Sequence, residues 1–203
     1  MPDLGHQPYV GHQPYVGHNH TGWFDTDTKE VYMSKRADKI NEERGKLEKL
    51  VDVIPGYKGY KEKEMRREAD RLLRETLARK YEEQWSRLSG VQKRLMKAGG
   101  IEFTDDVESA ATKLRGFIDK LKTAAMGYGG LFDAVRVKEA ELDKLYAFDE
   151  SLADGVTQIS GTIDALDAAI AANQGVSEAI DRFDDQCRYL VTTFEKRREV
   201  LTD

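Results

Sequence analysis

SLADGVTQISGTIDALDAAIAANQGVSEAIDRFDDQCRYLVTTF, residues 151–194, decides the fold class. Its apolar residues Leu152, Val156, Ile159, Ile163, Leu166 and Ile170 alternate spacings of four and three, and Leu145 extends the series backwards. After Asn173-Gln174-Gly175 the pattern restarts with Ile180, Phe183, Cys187, Leu190, Phe194 and Leu201. A 3.5-residue average keeps one face of each helix against a neighbour and favours slightly inclined, left-handed packing. The short Asn-Gln-Gly connector turns the second helix back along the first. The stretch therefore predicts a helix from about Lys138 to Ala172 and a last helix after Gly175, packed antiparallel. Arg197 is the one residue that breaks the last series, and its place near the chain end predicts an exposed or frayed turn.

The same periodicity runs upstream. Ala69, Leu73, Leu77, Tyr81, Trp85 and Leu88 follow at spacings of four, four, four, four and three, which predicts a long helix over roughly 60–97 with one apolar face. Gly99-Gly100 end it. A further helix is predicted from Thr104-Asp105, where Asp105 and Glu108 have the spacing of a capping box, with Val107, Ala111, Leu114, Ile118, Leu121 and Ala125 as its stripe. Gly127-Tyr128-Gly129-Gly130 then interrupts, a glycine-rich connector rather than a phosphate cradle, since no strand precedes it. Before Pro55-Gly56, which stop a helix, Lys29–Val53 carries only a sparse stripe of Val31, Ile40, Leu47 and Leu50, with Ile54 just beyond. The expected fold class is all-α: an elongated antiparallel helical bundle with coiled-coil-like heptads over 29–203, preceded by an extended tail over 1–28.

Composition agrees. Among 203 residues, 39% are hydrophobic and 34% charged, with only four prolines, a balance that suits amphipathic helices with much charged surface. No apolar run approaches the ~20 residues that span a bilayer. The N-terminus lacks a basic segment followed by an apolar one, so no secretory signal is expected. One cysteine, Cys187, makes no internal disulfide and points to a reducing cytoplasm; its heptad position makes it a small core hydrophobe. Charge is uneven: residues 35–97 hold 19 basic and 12 acidic side chains, residues 102–185 hold 8 and 18. Facing helices of these halves would pack a basic arm antiparallel on an acidic one, although each could equally be a solvated outer surface.

The tail is the segment without a core role. GHQPYV stands at 5–10 and again at 11–16, followed by GHNH at 17–20, so every histidine of the chain lies here. Pro8 and Pro14 stiffen an extended chain that presents Tyr9, Val10, Tyr15 and Val16. Aromatic anchors on a stiff extended peptide dock at low ordering cost, and two copies add avidity. Trp23 and Phe24 are the expected anchor of the tail onto the body. His6, His12 and His18 are six residues apart, about 19 Å in a polyproline II chain at ~3.1 Å per residue, too far to share one ion. His18 and His20 alone are close, and two ligands make a weak metal site, so metal binding through His6, His12, His18 and His20 stands as the alternative function.

No constellation for catalysis appears. No histidine follows position 20, which removes the Glu-x-x-His pairs of di-iron bundles, and no P-loop or CxxC is present. No enzyme, cofactor or small-molecule substrate is expected. The helix over 60–97 mixes charge signs, which argues against nucleic acid, while a membrane surface stays open as a partner and a stress-response helical protein as a further alternative.

IPGYKGYKEKEMRREADRLLR (54–74) and TAAMGYGGLFDAVRVKEAELDKLYAFD (123–149) resemble a family of bacterial helical-bundle proteins with no assigned activity. The resemblance covers about 50–200 and implies a helical fold and a bacterial origin. The first 30 residues depart from that pattern, which marks the repeat as this chain's own. The expected function is a non-enzymatic structural or adaptor subunit whose repeats dock to its own oligomer or to a larger assembly.

Overall fold

The computed structural model describes residues 26–60, 65–124 and 139–202. Within them lie five α-helices and no strand: α1 (Thr26–Val53), α2 (Arg66–Lys97), α3 (Thr104–Thr123), α4 (Glu139–Ala172) and α5 (Val176–Thr202). The chain divides into two compact units, Met1–Lys39 and Ile40–Asp203. In the first unit the described part is helical, the opening half of α1. The second unit is an all-α helical bundle.

Its connectors explain its hairpins. Gly99, in the left-handed region at φ 86°, lets its N–H reach the Met96 carbonyl while the Gly100 N–H reaches Leu95. This crossed pair satisfies two end carbonyls of α2 and turns the chain sharply. Asn173 (φ 50°) does the same after α4: its N–H meets the Ile170 carbonyl and that of Gln174 meets Ala169. The expected capping box at Asp105 and Glu108 does not form. A short 3₁₀ turn, Ile101–Phe103, runs straight into α3, so Phe103 is the capping residue and Asp105 already lies inside the helix. There Asp105 and Asp106 favour the positive end of the helix dipole instead.

Contacts fix the arrangement. Arg74 meets the Leu121 carbonyl and Thr104 meets Met96, so α2 and α3 are antiparallel. Arg197 meets Asp149 and Gln186 meets Gln158, so α4 and α5 are antiparallel as well. Between hairpins the direction differs from the expected one. Tyr81 meets Leu152, Arg87 meets Ser160 and Asp164, and Arg94 meets Asp167, so α2 and α4 run parallel. Lys113–Asp184 and Lys120–Glu195 set α3 parallel to α5. The reason is positional: direction alternates along the chain, and α4 packs beside its second neighbour α2 rather than beside α3. The basic arm does meet the acidic one, but with both pointing the same way.

The core is the stripe read from the periodicities. Leu73, Leu77, Tyr81 and Leu88 of α2, Val107, Leu114 and Ile118 of α3, Leu152, Ile159 and Leu166 of α4, and Phe183, Cys187 and Leu190 of α5 are buried. Each buried Leu, Ile or Phe contributes about 1.5–3 kcal/mol. Phe117 stands edge-on to both Tyr81 and Phe194, at 4.9 and 6.0 Å between ring centres. Trp85 is only half-buried, at the α2–α3 edge, where the Arg115 guanidinium covers its ring at 5.3 Å. Gly155 lets Tyr81 approach α4: a Cβ there would stand 2.5 Å from the Tyr81 hydroxyl, which donates to the Leu152 carbonyl at 2.6 Å.

Candidate functional site

The bundle's polar centre sits where the start of α2, the first turns of α4 and the end of α5 converge under residues 54–60. This connecting segment is a strap rather than the first turn of the long helix, which begins only at Arg66. Ile54, Tyr57 and Tyr60 are buried within it. Its shape depends on Gly59, at φ 75°, where a Cβ would press to 2.5 Å from the Tyr146 hydroxyl and 3.1 Å from Leu47. That close approach lets the Tyr60 N–H donate to Tyr146 Oη at 2.6 Å.

Arg197 is the hub, and its placement overturns the expectation of an exposed or frayed end. The side chain is 0% exposed. Its Nε donates to Asp149 at 2.5 Å, and its Nη2 donates to Asp70 at 2.7 Å and to the Tyr60 hydroxyl at 3.0 Å. Tyr60 in turn donates to Asp149 at 2.7 Å. Asp70 also accepts from Arg74 at 2.8 Å, and Arg74 donates onward to the Leu121 carbonyl of α3. Arg66 donates to the Tyr60 carbonyl at 2.8 Å. One guanidinium therefore ties α5 to α4, to α2 and to the strap, and reaches α3 through Asp70 and Arg74.

Electrostatics follow from that geometry. Burial alone would raise the Asp70 carboxyl, but Arg197 and Arg74 outweigh it and hold the group below the ordinary aspartate range. Asp149 is fully enclosed, and burial pushes its carboxyl up despite Arg197 and Tyr60. Burial also opposes the charge of Arg197, yet Asp149, Tyr60 and Asp70 keep it firmly protonated. The phenols of Tyr57 and Tyr60 are driven upward by burial, out of range for proton transfer near neutral pH. Arg197 Nη1 is buried without a protein hydrogen-bond partner among the described residues. The hub is sealed from solvent, and its charges meet one another across α2, α4, α5 and the strap.

The residues expected to bind partners or metal lie elsewhere. Pro8, Tyr9, Val10, Pro14, Tyr15, Val16, Trp23 and Phe24 fall outside the described residues, as do His6, His12, His18 and His20 and the 127–130 connector. Cys187 is where the heptad put it, buried, with burial pushing its thiol up to about 12. Among the described residues no group of three metal-ligating side chains comes together, and no helix is long and apolar enough to cross a membrane. Comparison with protein-family models, with curated proteins and with solved structures finds no match.

Sequence periodicity contained a signal for the hub. Arg197 keeps the step of three and four from Leu190 and Phe194 to Leu201, and Asp149 keeps it between Leu145 and Leu152. Opposite charges at core positions of two hairpin partners point to a buried pair.

Proposed function

We propose that the chain is a non-enzymatic structural or adaptor subunit that docks through its N-terminal HQPYVG repeats, to its own oligomer or to a larger assembly. The observation that carries this is the perfect repetition of GHQPYV over 5–16 in a segment whose composition cannot build a core. Tyr9, Val10, Tyr15 and Val16 serve as contacts, Pro8 and Pro14 as stiffeners, and Trp23 with Phe24 as the anchor to the body. The character of α1 supports the reading. Among its described side chains only Leu50 is buried, and Arg44–Glu48 and Lys46–Glu42 pair along its surface. A long helix whose apolar stripe is as sparse as Val31, Ile40, Leu47 and Leu50 suits a spacer better than a core member. A lone buried thiol is compatible with a reducing cytoplasm.

The test is the double substitution Tyr9→Ala and Tyr15→Ala, followed by sedimentation velocity and circular dichroism. Loss of assembly with unchanged helicity is the expected result. Intact assembly in that variant would sink the proposal.

A further inference from the structure

Two of the large apolar side chains left most exposed among the described residues, Met96 (48%) and Ile101 (68%), lie at one end of the bundle, where α2 turns into α3. Beside them a groove of about 340 Å³ opens between the last turns of α2 and the first turns of α3. Leu95, Met96 and Val107 give it apolar walls, and Leu95 and Val107 are themselves buried. Its neutral polar groups are Ser89, Gln92 and Thr104, and the Thr104 hydroxyl donates to the Met96 sulfur at 3.1 Å. Lys93 and Glu108 border it with charges that cancel. The turn fixes its shape: Gly99 holds φ 86°, and a Cβ on Gly100 would collide with Leu95 Cδ1.

The volume stands at the low end of the ~300–1,000 Å³ of ligand pockets, room for one aromatic side chain and a neighbour. A thioether beside a ring is a favourable contact, and a phenol hydroxyl needs a polar partner, which Ser89, Gln92 and Thr104 supply. A strongly charged partner gains nothing from apolar walls and a rim that sums to zero, and would lose its hydration. The chain itself carries a segment with the matching properties. Residues 4–24 hold no Asp, Glu, Lys or Arg, in a chain whose residues are 34% charged. Within them Tyr-Val follows a proline twice, at 8–10 and at 14–16.

We infer that the groove at the α2–α3 tip is the acceptor for a Pro-Tyr-Val repeat of a second copy of this chain. The inference rests on the docking role proposed for the repeats and names what they dock to. Tyr9 or Tyr15 enters between Leu95, Met96 and Val107, and the valine that follows covers Ile101. Donor and acceptor are different surfaces, so a chain that lacks one can still use the other.

Complementation between full-length variants tests it, with masses read by light scattering and helicity by circular dichroism. Met96→Glu puts a charge into the groove at a position the core does not use. It should weaken self-association at least ~100-fold, because a docked repeat would seal that charge without a partner. Met96→Lys, of opposite sign, should do the same, and it decides the matter if Met96→Glu loses helicity. Tyr9→Ala with Tyr15→Ala removes the donors and leaves the groove intact. Each variant alone is expected to be a helical monomer. Mixing Met96→Glu chains with Tyr9→Ala, Tyr15→Ala chains should regain complexes of one donor with one or two acceptors. If a Met96 variant assembles like the native chain while the tyrosine variant does not, the groove is overturned and the docking role stands. If the tyrosine variant assembles, both readings fall. A monomeric native chain, or a mixture that stays monomeric, also overturns the groove.

Discussion

Replacing Arg197 by Met separates a buried hub from an exposed helix end. Methionine keeps most of the aliphatic length, so packing along α5 is little altered, while three hydrogen bonds to Asp149, Asp70 and Tyr60 are lost. Asp70 retains Arg74, but Asp149 retains only the Tyr60 hydroxyl, at 0% exposure. Removing one partner of such a buried pair costs about 3–5 kcal/mol, because the other charge stays desolvated. At ~2–4 °C per kcal/mol for a chain of this size, the melting temperature should fall by roughly 6–20 °C. An exposed arginine in a frayed turn would change stability by less than ~0.5 kcal/mol. Urea unfolding followed at 222 nm, with the denaturant slope unchanged, measures the difference directly. The second arm is Arg197→Met with Asp149→Leu, which removes both charges and should recover much of the loss. A single-variant loss under ~1 kcal/mol, or a double variant no better than the single, would refute the hub.

Three further outcomes follow from the same geometry. Gly155→Ala places a methyl 2.5 Å from both Leu190 Cδ2 and Tyr81 Oη, and should cost about 1–3 kcal/mol in thermal melts, whereas Gly161→Ala meets nothing within 4 Å and should stabilise by about 0.5–1 kcal/mol. Cys187, enclosed and with its thiol pushed up to about 12, should react with a thiol reagent only as fast as the bundle opens; rapid labelling of the native protein would contradict its placement. Acid should act through Asp70. Its folded pKa is depressed, so its contribution to stability is present above the ordinary value of 3.8 and disappears as pH falls through the lower folded value. Asp149, raised by burial, has the opposite sign, its contribution being lost as pH rises through its folded value. Asp70→Asn should therefore flatten the acid limb of a stability–pH profile, and an unchanged limb would count against the Arg197–Asp70–Arg74 contacts.

The helices were legible because their information is local. Leu152 to Ile170 and Ile180 to Phe194 repeat within single segments, and the Pro55-Gly56 stop and the Gly99 turn act through the backbone of their own residues. The pairing of α2 with α4 was half legible: charge predicted that a basic helix meets an acidic one, but not that the two run parallel. That direction depends on which helix α4 lies beside, which no spacing within α2 or α4 encodes. The hub was missed for a related reason. Arg197 finds Asp149, Asp70 and Tyr60 at sequence separations of 48, 127 and 137, on two helices and a strap. A rule that treats charge near a chain end as solvent-facing weighs only the nearest neighbours. The strap escaped because Tyr60 was read as the start of α2, whereas Gly59 and the Tyr146 contact hold it outside the helix.

The docking role of the repeats is tested most directly by mass-resolved light scattering of the full chain beside a chain lacking residues 1–22. A full chain heavier than a monomer, with the shortened chain monomeric and still helical, is the result expected of an assembly arm. Equal masses for the two would contradict self-docking. A bare HQPYVG repeat that also captured nothing from native lysate would then remove the adaptor role altogether.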